Sequence, residues 1–109
     1  MTDKEAVRQR EFAKLQALFK ECEPSKAKLA EGLIETAAFL YAESVVLREL
    51  IDQTGSVRVH PQNPAAQKIT EAAKMLDKIT NTYAVVVKAL NGILSKSQLE
   101  EEDDLGDFE

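Results

Sequence analysis

The sequence predicts an all-α fold: a short N-terminal helix, a long antiparallel helical hairpin, and a disordered acidic C-terminal tail. Glycine and proline are scarce, at 4 and 3 of 109 residues, and both are needed in quantity by a many-turned β fold. Aromatic residues make up 6% of the chain and Trp is absent, so we expect an aliphatic core. Two long stretches repeat apolar residues at spacings of three and four, which is the period of a helix.

The first predicted helix begins at Thr2, which forms with Glu5 the S/T-x-x-E pattern of a capping box. Apolar residues then recur on one face of this helix: Phe12, Leu15, Phe19 and Cys22. Pro24 cannot continue the helical hydrogen bonds, so we expect a helix of roughly 18 residues to end before it.

The second predicted helix runs from about Lys26 to Gln53 and ends at Gly55, which is free to adopt a left-handed conformation. Its main apolar stripe is Leu29, Leu33, Ala37, Leu40, Ser44, Leu47 and Ile51. Two neighbouring groups widen that stripe: Ile34, Ala38, Tyr41 and Val45, and then Phe39, Val46 and Leu50. A helix in a two-helix pair needs one stripe, so this helix is expected to contact more than its hairpin partner.

Ser56 to His60 alternates and is rich in β-branched residues, which predicts an extended arm. Asn63 suits an N-cap and Pro64 suits a first helical turn, so the third helix is predicted from about Pro64 to Leu94. Its apolar residues form two heptad series: Ile69, Leu76, Tyr83 and Leu90, and Ala65, Ala72, Ile79, Val86 and Ile93. Such a seam is typical of coiled-coil packing, and similar helix lengths joined by a short arm predict an antiparallel hairpin.

The charge is divided unevenly along the chain. Residues 99–109 contain seven acids and no base, which leaves 12 acids against 14 bases in residues 1–98. We therefore predict a helical domain over residues 1–95 and a disordered acidic tail over 96–109. The tail is either a solubilising end or a docking motif in which Leu105, Asp107 and Phe108 contact a basic partner.

The sequence has no catalytic or metal-binding pattern, so we predict a protein that is not an enzyme and uses no cofactor or metal. Its single His60 and single Cys22 lie 38 positions apart, and we interpret them as a polar loop residue and a small core residue. The lone cysteine favours a reducing compartment. The first residues lack the apolar core of a signal peptide, and five charged residues interrupt the longest apolar stretch, Leu29 to Ile51, which excludes a membrane span there.

Nucleic acid is a possible partner because cations are frequent near the N-terminus and in the arm. The candidate DNA-binding residues are Lys4, Arg8, Arg10, Lys14, Lys26, Lys28 and Arg58. Phosphate binding requires cations on one side of a surface, whereas Glu5 and Glu11 dilute this patch. An ordinary solvated helix face is the alternative interpretation.

A resemblance to a known family rests on the run from Lys28 to Phe39, the helix that ends at Gly55, and the Pro61-Gln62-Asn63-Pro64 restart that leads to Tyr83 and Leu90. Over roughly residues 8 to 95 these features resemble the small subunits of the terminase, the DNA-packaging motor of tailed bacteriophages. The acidic tail, with Asp107 and Phe108 near its end, is also typical of that family.

The resemblance implies a non-enzymatic, ring-forming subunit in the host bacterial cytoplasm. Its partners would be further copies of itself, double-stranded viral DNA, and a large subunit with ATPase and nuclease activity. The excess apolar surface of both long helices is compatible with contacts to neighbouring copies. The candidate oligomerisation residues are Leu33, Leu40, Leu47, Leu76, Tyr83 and Leu90.

Another function class stays open, which is a helical-hairpin interaction module without a nucleic-acid role, such as a secreted dimer of similar length. That class normally has a Trp-x-Gly turn, whereas this chain lacks Trp and has Gly55 in a Thr-Gly-Ser context.

Overall fold

The computed structural model describes residues 2–106, with the side chains of Pro64 and of residues 97–106 outside that description. Three helices, α1 (Lys4–Leu18), α2 (Pro24–Thr54) and α3 (Glu71–Gly106), account for most of the chain. Two strands, β1 (Val57–His60) and β2 (Asn63–Ile69), lie between α2 and α3. The chain is 77% helical, with three helices and a small two-stranded antiparallel sheet. The prediction of a mainly helical fold is therefore confirmed, whereas the all-α class is wrong for the segment between α2 and α3.

Helix α1 is capped by Asp3 rather than by Thr2. The Asp3 Oδ1 atom accepts hydrogen bonds from the backbone N–H groups of Glu5 (3.1 Å) and Ala6 (3.3 Å), which satisfies two donors that a helix N-terminus leaves unpaired. A turn follows Leu18, and α2 then begins at Pro24. A proline is favourable in a first turn because its missing N–H would have no helical partner there.

Helix α2 ends at Gly55, which has a φ of 86°. A side chain with a Cβ is strained in this region, so glycine is the residue that allows the chain to turn here. The Gly55 N–H donates to the carbonyl of Ile51 at 2.6 Å. The chain leaves α2 directly into the two strands.

The segment after Gly55 is a β-hairpin, whereas the sequence suggests a single extended arm followed by a helix at Pro64. Val57 pairs with Ile69, Arg58 with Lys68, Val59 with Gln67 and His60 with Asn63, with a register shift between Val59 and His60. A lone strand leaves its N–H and C=O groups unpaired, and the nearest partner is the chain that follows a two-residue turn at low loop-closure cost. That pairing overrides the capping signal of Asn63 and Pro64.

Helix α3 begins seven residues later than the sequence suggests and ends later. Thr70 caps it: its Oγ1 accepts from the N–H of Ala73 at 3.3 Å. Ile69 and Ala65 are consequently strand residues, and the heptad seam is shorter than predicted. The helix also continues through Gly106, where we expected a disordered tail, because residues 95–104 lack proline and are rich in helix formers such as Glu, Lys, Gln and Leu.

The core lies where α2 meets both α1 and α3. Its buried members are Phe19, Ala30, Ile34, Ala37, Val86 and Leu90, and partly buried Phe12, Leu15, Cys22, Leu33, Leu40, Tyr83, Ile93 and Leu94 pack against them. Four buried alanines of α2, Ala30, Ala37, Ala38 and Ala42, leave room for close approach of neighbouring helices. The rings of Tyr41 in α2 and Tyr83 in α3 have centroids 6.3 Å apart. Tyr41 lies 13 residues before the last residue of α2 and Tyr83 lies 12 residues after the first residue of α3, so this contact fits an antiparallel pair.

The molecule is elongated. Its Cα radius of gyration is 19.6 Å and its principal extents are 75 × 28 × 17 Å, whereas a globular chain of this length has a radius of gyration of about 13 Å. The first helix runs antiparallel beside α2: Phe19 shares a core cluster with Ala30, Lys4 pairs with Glu43, and Thr2 borders a hollow with Glu49. The β-hairpin follows the C-terminal end of α2. A shape of this kind leaves much of each long helix exposed.

Candidate functional site

The cations at the start of α1 are engaged within the chain. Lys4 forms an ion pair with Glu43 of α2, and Arg8 forms one with Glu5. The Arg8 Nε atom also donates to Glu5 Oε2 at 3.1 Å. The Arg8 hydrogen bond lowers the pKa of the Glu5 carboxyl, and the same contact raises the pKa of Arg8. These two candidate DNA-binding cations are therefore already partnered by carboxylates.

The remaining candidate cations occupy two separate places. Arg10, Lys14 and Lys28 are exposed on α1 and on the first turns of α2, whereas Lys26 is half-buried and is not free. Arg58 lies in the hairpin beyond the opposite end of α2. The structure thus does not bring the seven predicted DNA-binding residues together on one surface.

The hairpin has two chemically different faces, because side chains alternate along a strand and paired residues share a face. Val57, Val59 and Ile69 lie on one face and are 45%, 53% and 41% exposed. The pair Arg58 and Lys68 lies on the other face, and His60, which follows the register shift, borders the same concavity as this pair. We name Arg58, His60 and Lys68 the basic face of the hairpin.

A shallow concavity of about 320 Å³ is formed in the hairpin near its register shift. Its lining is Arg58, Val59, His60, Pro61, Ala66, Gln67 and Lys68. The Gln62 N–H donates to the Nδ1 atom of His60 at 3.1 Å, which leaves Nε2 as the donor of a neutral ring. The concavity thus has two cations and an imidazole at its edge.

Sequence reasoning missed Lys68 because residues 64–69 were predicted to be helical. A helix would have placed Lys68 far from Arg58, whereas the hairpin places the two opposite each other. The signal that could have found this pair is the absence of any acid between residues 53 and 70, combined with a strand pattern that needs a partner.

A second concavity lies between α1 and α2. This groove of about 600 Å³ is lined by Phe12, Ala13, Gln16, Ala17, Phe19, Lys20, Cys22, Pro24, Ala27, Lys28, Glu31 and Ile34. Its walls are mainly apolar with two lysines. Glu31 and Glu35 are both exposed and border a neighbouring hollow with Arg8.

Several candidate oligomerisation residues are used within the chain instead. Leu90 is 3% exposed in the core, and Leu33, Leu40 and Tyr83 pack against that core. Leu47 and Leu76 are half-buried. The heptad seam therefore packs α3 against α2 of the same chain.

Other large apolar side chains stay uncovered on the helices. Leu29, Phe39 and Leu50 of α2 are 71%, 50% and 43% exposed, and Met75 and Val85 of α3 are 52% and 68% exposed. Leu29, Phe39 and Leu50 are spaced by ten and eleven residues. Ten residues are about 80° short of three helical turns and eleven are about 20° more than three turns, so the three residues lie within an arc of about 80° on one side of α2. We name these three residues the free face of α2.

The predicted docking residues of the tail cannot be placed as a site. The backbone of Leu105 belongs to α3, but its side chain is outside the description, and Asp107 and Phe108 lie outside the described residues.

Within residues 2–106, no helix is long and apolar enough to cross a membrane. The described side chains include no group of three or more His, Cys, Asp or Glu residues arranged to hold a metal ion.

Comparison of the chain with family models, curated proteins and solved structures finds no match.

Proposed function

We propose that this chain is a self-associating, non-enzymatic DNA-packaging subunit of the terminase small-subunit type. Several copies would form a ring in the host bacterial cytoplasm, bind double-stranded viral DNA, and recruit or regulate a large ATPase and nuclease subunit. The proposal rests on the resemblance of residues 8 to 95 and on the distribution of apolar and basic side chains over the molecule.

The observation that carries the proposal is the uncovered apolar surface of the long helices. Leu29, Phe39 and Leu50 share one side of α2 and are at least 43% exposed. Single exposed apolar residues are common in monomers, and these three lie about 15 Å apart along the helix. We take them, together with Met75 and Val85 of α3, as parts of a surface that packs against another protein. A ring is built from head-to-tail contacts, in which this surface of one copy packs against a different surface of the next copy. The exposed Met75 and Val85 of α3 are the candidate for that second surface.

The charge distribution supports a nucleic-acid partner. The body of the chain is mildly basic, and the run from Gln53 to Thr70 contains no acid. The acidic tail has the opposite sign, so it would repel DNA and suits contact with a basic protein such as the large subunit. Leu105, Asp107 and Phe108 remain the candidate docking residues for that contact.

The test is a measurement of mass in solution by native mass spectrometry and light scattering, with and without duplex DNA. We expect a discrete oligomer at micromolar concentration that binds DNA in a salt-dependent manner. A strictly monomeric protein that does not bind DNA would contradict the proposal. If the protein forms an oligomer but does not bind DNA, the result favours the alternative function, a helical-hairpin interaction module without a nucleic-acid role.

A further inference from the structure

The β-hairpin is an exposed arm in which two cationic side chains are paired across the strands. Arg58 of β1 and Lys68 of β2 are paired directly across the two strands. Like charges in this position repel each other and destabilise a hairpin. Neither cation forms an ion pair with the residues that the structure describes. The repulsion is relieved if an anion binds between them.

The surroundings of this pair favour an anion as well. The concavity that Arg58 and Lys68 border has His60 at its edge, and the Nε2 of that ring is a further donor. The acids closest in sequence, Asp52 and Glu71, lie at the ends of α2 and α3, at the base of the arm, and Glu71 is paired with Lys74 at 3.5 Å. The tip and middle of the arm are therefore free of carboxylates.

The dimensions of the arm suit a duplex. All described residues of the two strands are exposed, so the hairpin projects from the helices. A two-stranded ribbon fits the major groove of B-DNA, which is about 12 Å wide. The arm has no Phe, Tyr or Trp, which are the side chains on which proteins stack unpaired bases. Duplex DNA is thus favoured over a single strand.

We propose that the basic face of the hairpin, Arg58, His60 and Lys68, is the surface that contacts the phosphate backbone of duplex DNA, and that the N-terminal half of α1 is not. This inference rests on the proposed function and specifies where its DNA contact lies. It follows from the contrast between the two cationic regions: Lys4 and Arg8 are neutralised by Glu43 and Glu5, whereas Arg58 and Lys68 face each other without a carboxylate.

The experiment compares DNA binding of the full-length chain with that of R58Q/K68Q over a series of salt concentrations, by fluorescence anisotropy of a labelled duplex. The slope of log K against log salt is negative, and each lost phosphate contact lowers its magnitude by about 0.9, or by about 1.8 for every arm that touches DNA. The affinity loss per contact is then about eightfold larger at about 0.1 M salt than at about 1 M salt. Lys78 and Lys88 are exposed lysines of α3, so K78Q/K88Q removes the same charge elsewhere and serves as the control. R58K/K68R conserves the charge and should keep the wild-type slope.

The outcomes separate this inference from the function on which it rests. Loss of slope and affinity in R58Q/K68Q alone, with helix content and solution mass unchanged, supports the arm as the DNA contact. Wild-type binding by R58Q/K68Q overturns the arm but leaves a DNA-binding function in place. Equal losses of affinity in R58Q/K68Q and K78Q/K88Q overturn the arm as the DNA contact too, because the change in net charge alone would then explain both losses. A wild-type protein that does not bind DNA overturns both proposals.

Discussion

The ionisation of the Tyr83 side chain on α3 depends on residues of α1 and α2 as well. It projects from α3 toward Tyr41 of α2, and Glu11 of α1 lies close enough to affect its ionisation. Glu11 is itself only 7% exposed. Burial raises the pKa of the Tyr83 phenol, and the negative charge of Glu11 and the neighbouring Tyr41 raise that pKa further. An anion at this position is disfavoured in the folded chain.

We predict that Tyr83 ionises above the ordinary pKa of tyrosine, which is about 10. The Y41F variant leaves Tyr83 as the single tyrosine, since the chain has two, and its absorbance change at high pH reports Tyr83 alone. Because the folded pKa is the higher one, the stability that Tyr83 contributes is complete below the unfolded pKa and is lost as pH rises through the folded pKa. The same variant in denaturant is the reference, and identical midpoints in both states would show that Tyr83 is not buried as described.

Among the elements, the junction between the hairpin and α3 depends on Thr70. Its Oγ1 accepts from the Ala73 N–H at 3.3 Å and donates to the carbonyl of Gly55 (3.2 Å) or Ser56 (3.3 Å). The Thr70 N–H also donates to the Ser56 carbonyl at 3.0 Å. One residue thus caps α3 and ties the base of the hairpin to the end of α2.

We predict that Thr70→Ala lowers the free energy of unfolding by about 1 kcal/mol, the usual cost of losing an N-cap side chain. Thr82→Ala is the matched control, since Thr82 is exposed within α3 and its Oγ1 only donates to the Lys78 carbonyl at 3.0 Å. The control should change stability by no more than about 0.5 kcal/mol. Urea unfolding followed by circular dichroism measures both values, and equal effects would show that Thr70 is not a cap.

The whole molecule is a long helical pair that one short helix covers in part. Its extents of 75 × 28 × 17 Å give a high ratio of surface to interior. The core consists of alanines, aliphatic side chains and Phe19, where α2 meets α1 and α3. Apolar residues of α2 and α3 remain at the surface on the sides of these helices that no neighbouring helix covers. The proposed association would bury this surface and add to the modest core of a chain of this size.

We predict that the L29Q/F39Q variant self-associates more weakly than the wild-type chain, while its helix content stays the same. Both side chains are at least half exposed, so the change removes little packing inside one chain but places two polar groups on the free face of α2. Leu18→Gln is the control: Leu18 is 56% exposed on α1, outside that face. Sedimentation velocity over a concentration series should show dissociation for the double variant alone, and an unchanged mass would mean that the free face is not the contact.

Local chemistry was sufficient to predict the helices and the main packing. Apolar spacings of three and four identify all three helices, Gly55 marks the end of α2, and the seam around Tyr83 and Leu90 marks the side of α3 that meets α2. These signals are readable because they depend on residues within a few turns of each other. The first cap was placed one residue early because Thr2 and Asp3 are both good capping residues.

The hairpin was decided by tertiary structure. Asn63 and Pro64 have a valid helix-start signal, yet the chain there pairs with Val57 to His60, because backbone groups of an extended segment need partners that lie elsewhere in the sequence. The pairing of Arg58 with Lys68 follows from that register and could not be deduced from spacing. The sequence likewise determined how much apolar surface each helix has. Only the packing of α1, α2 and α3 decided which part of that surface is buried, because burial depends on the shape and position of the neighbouring elements.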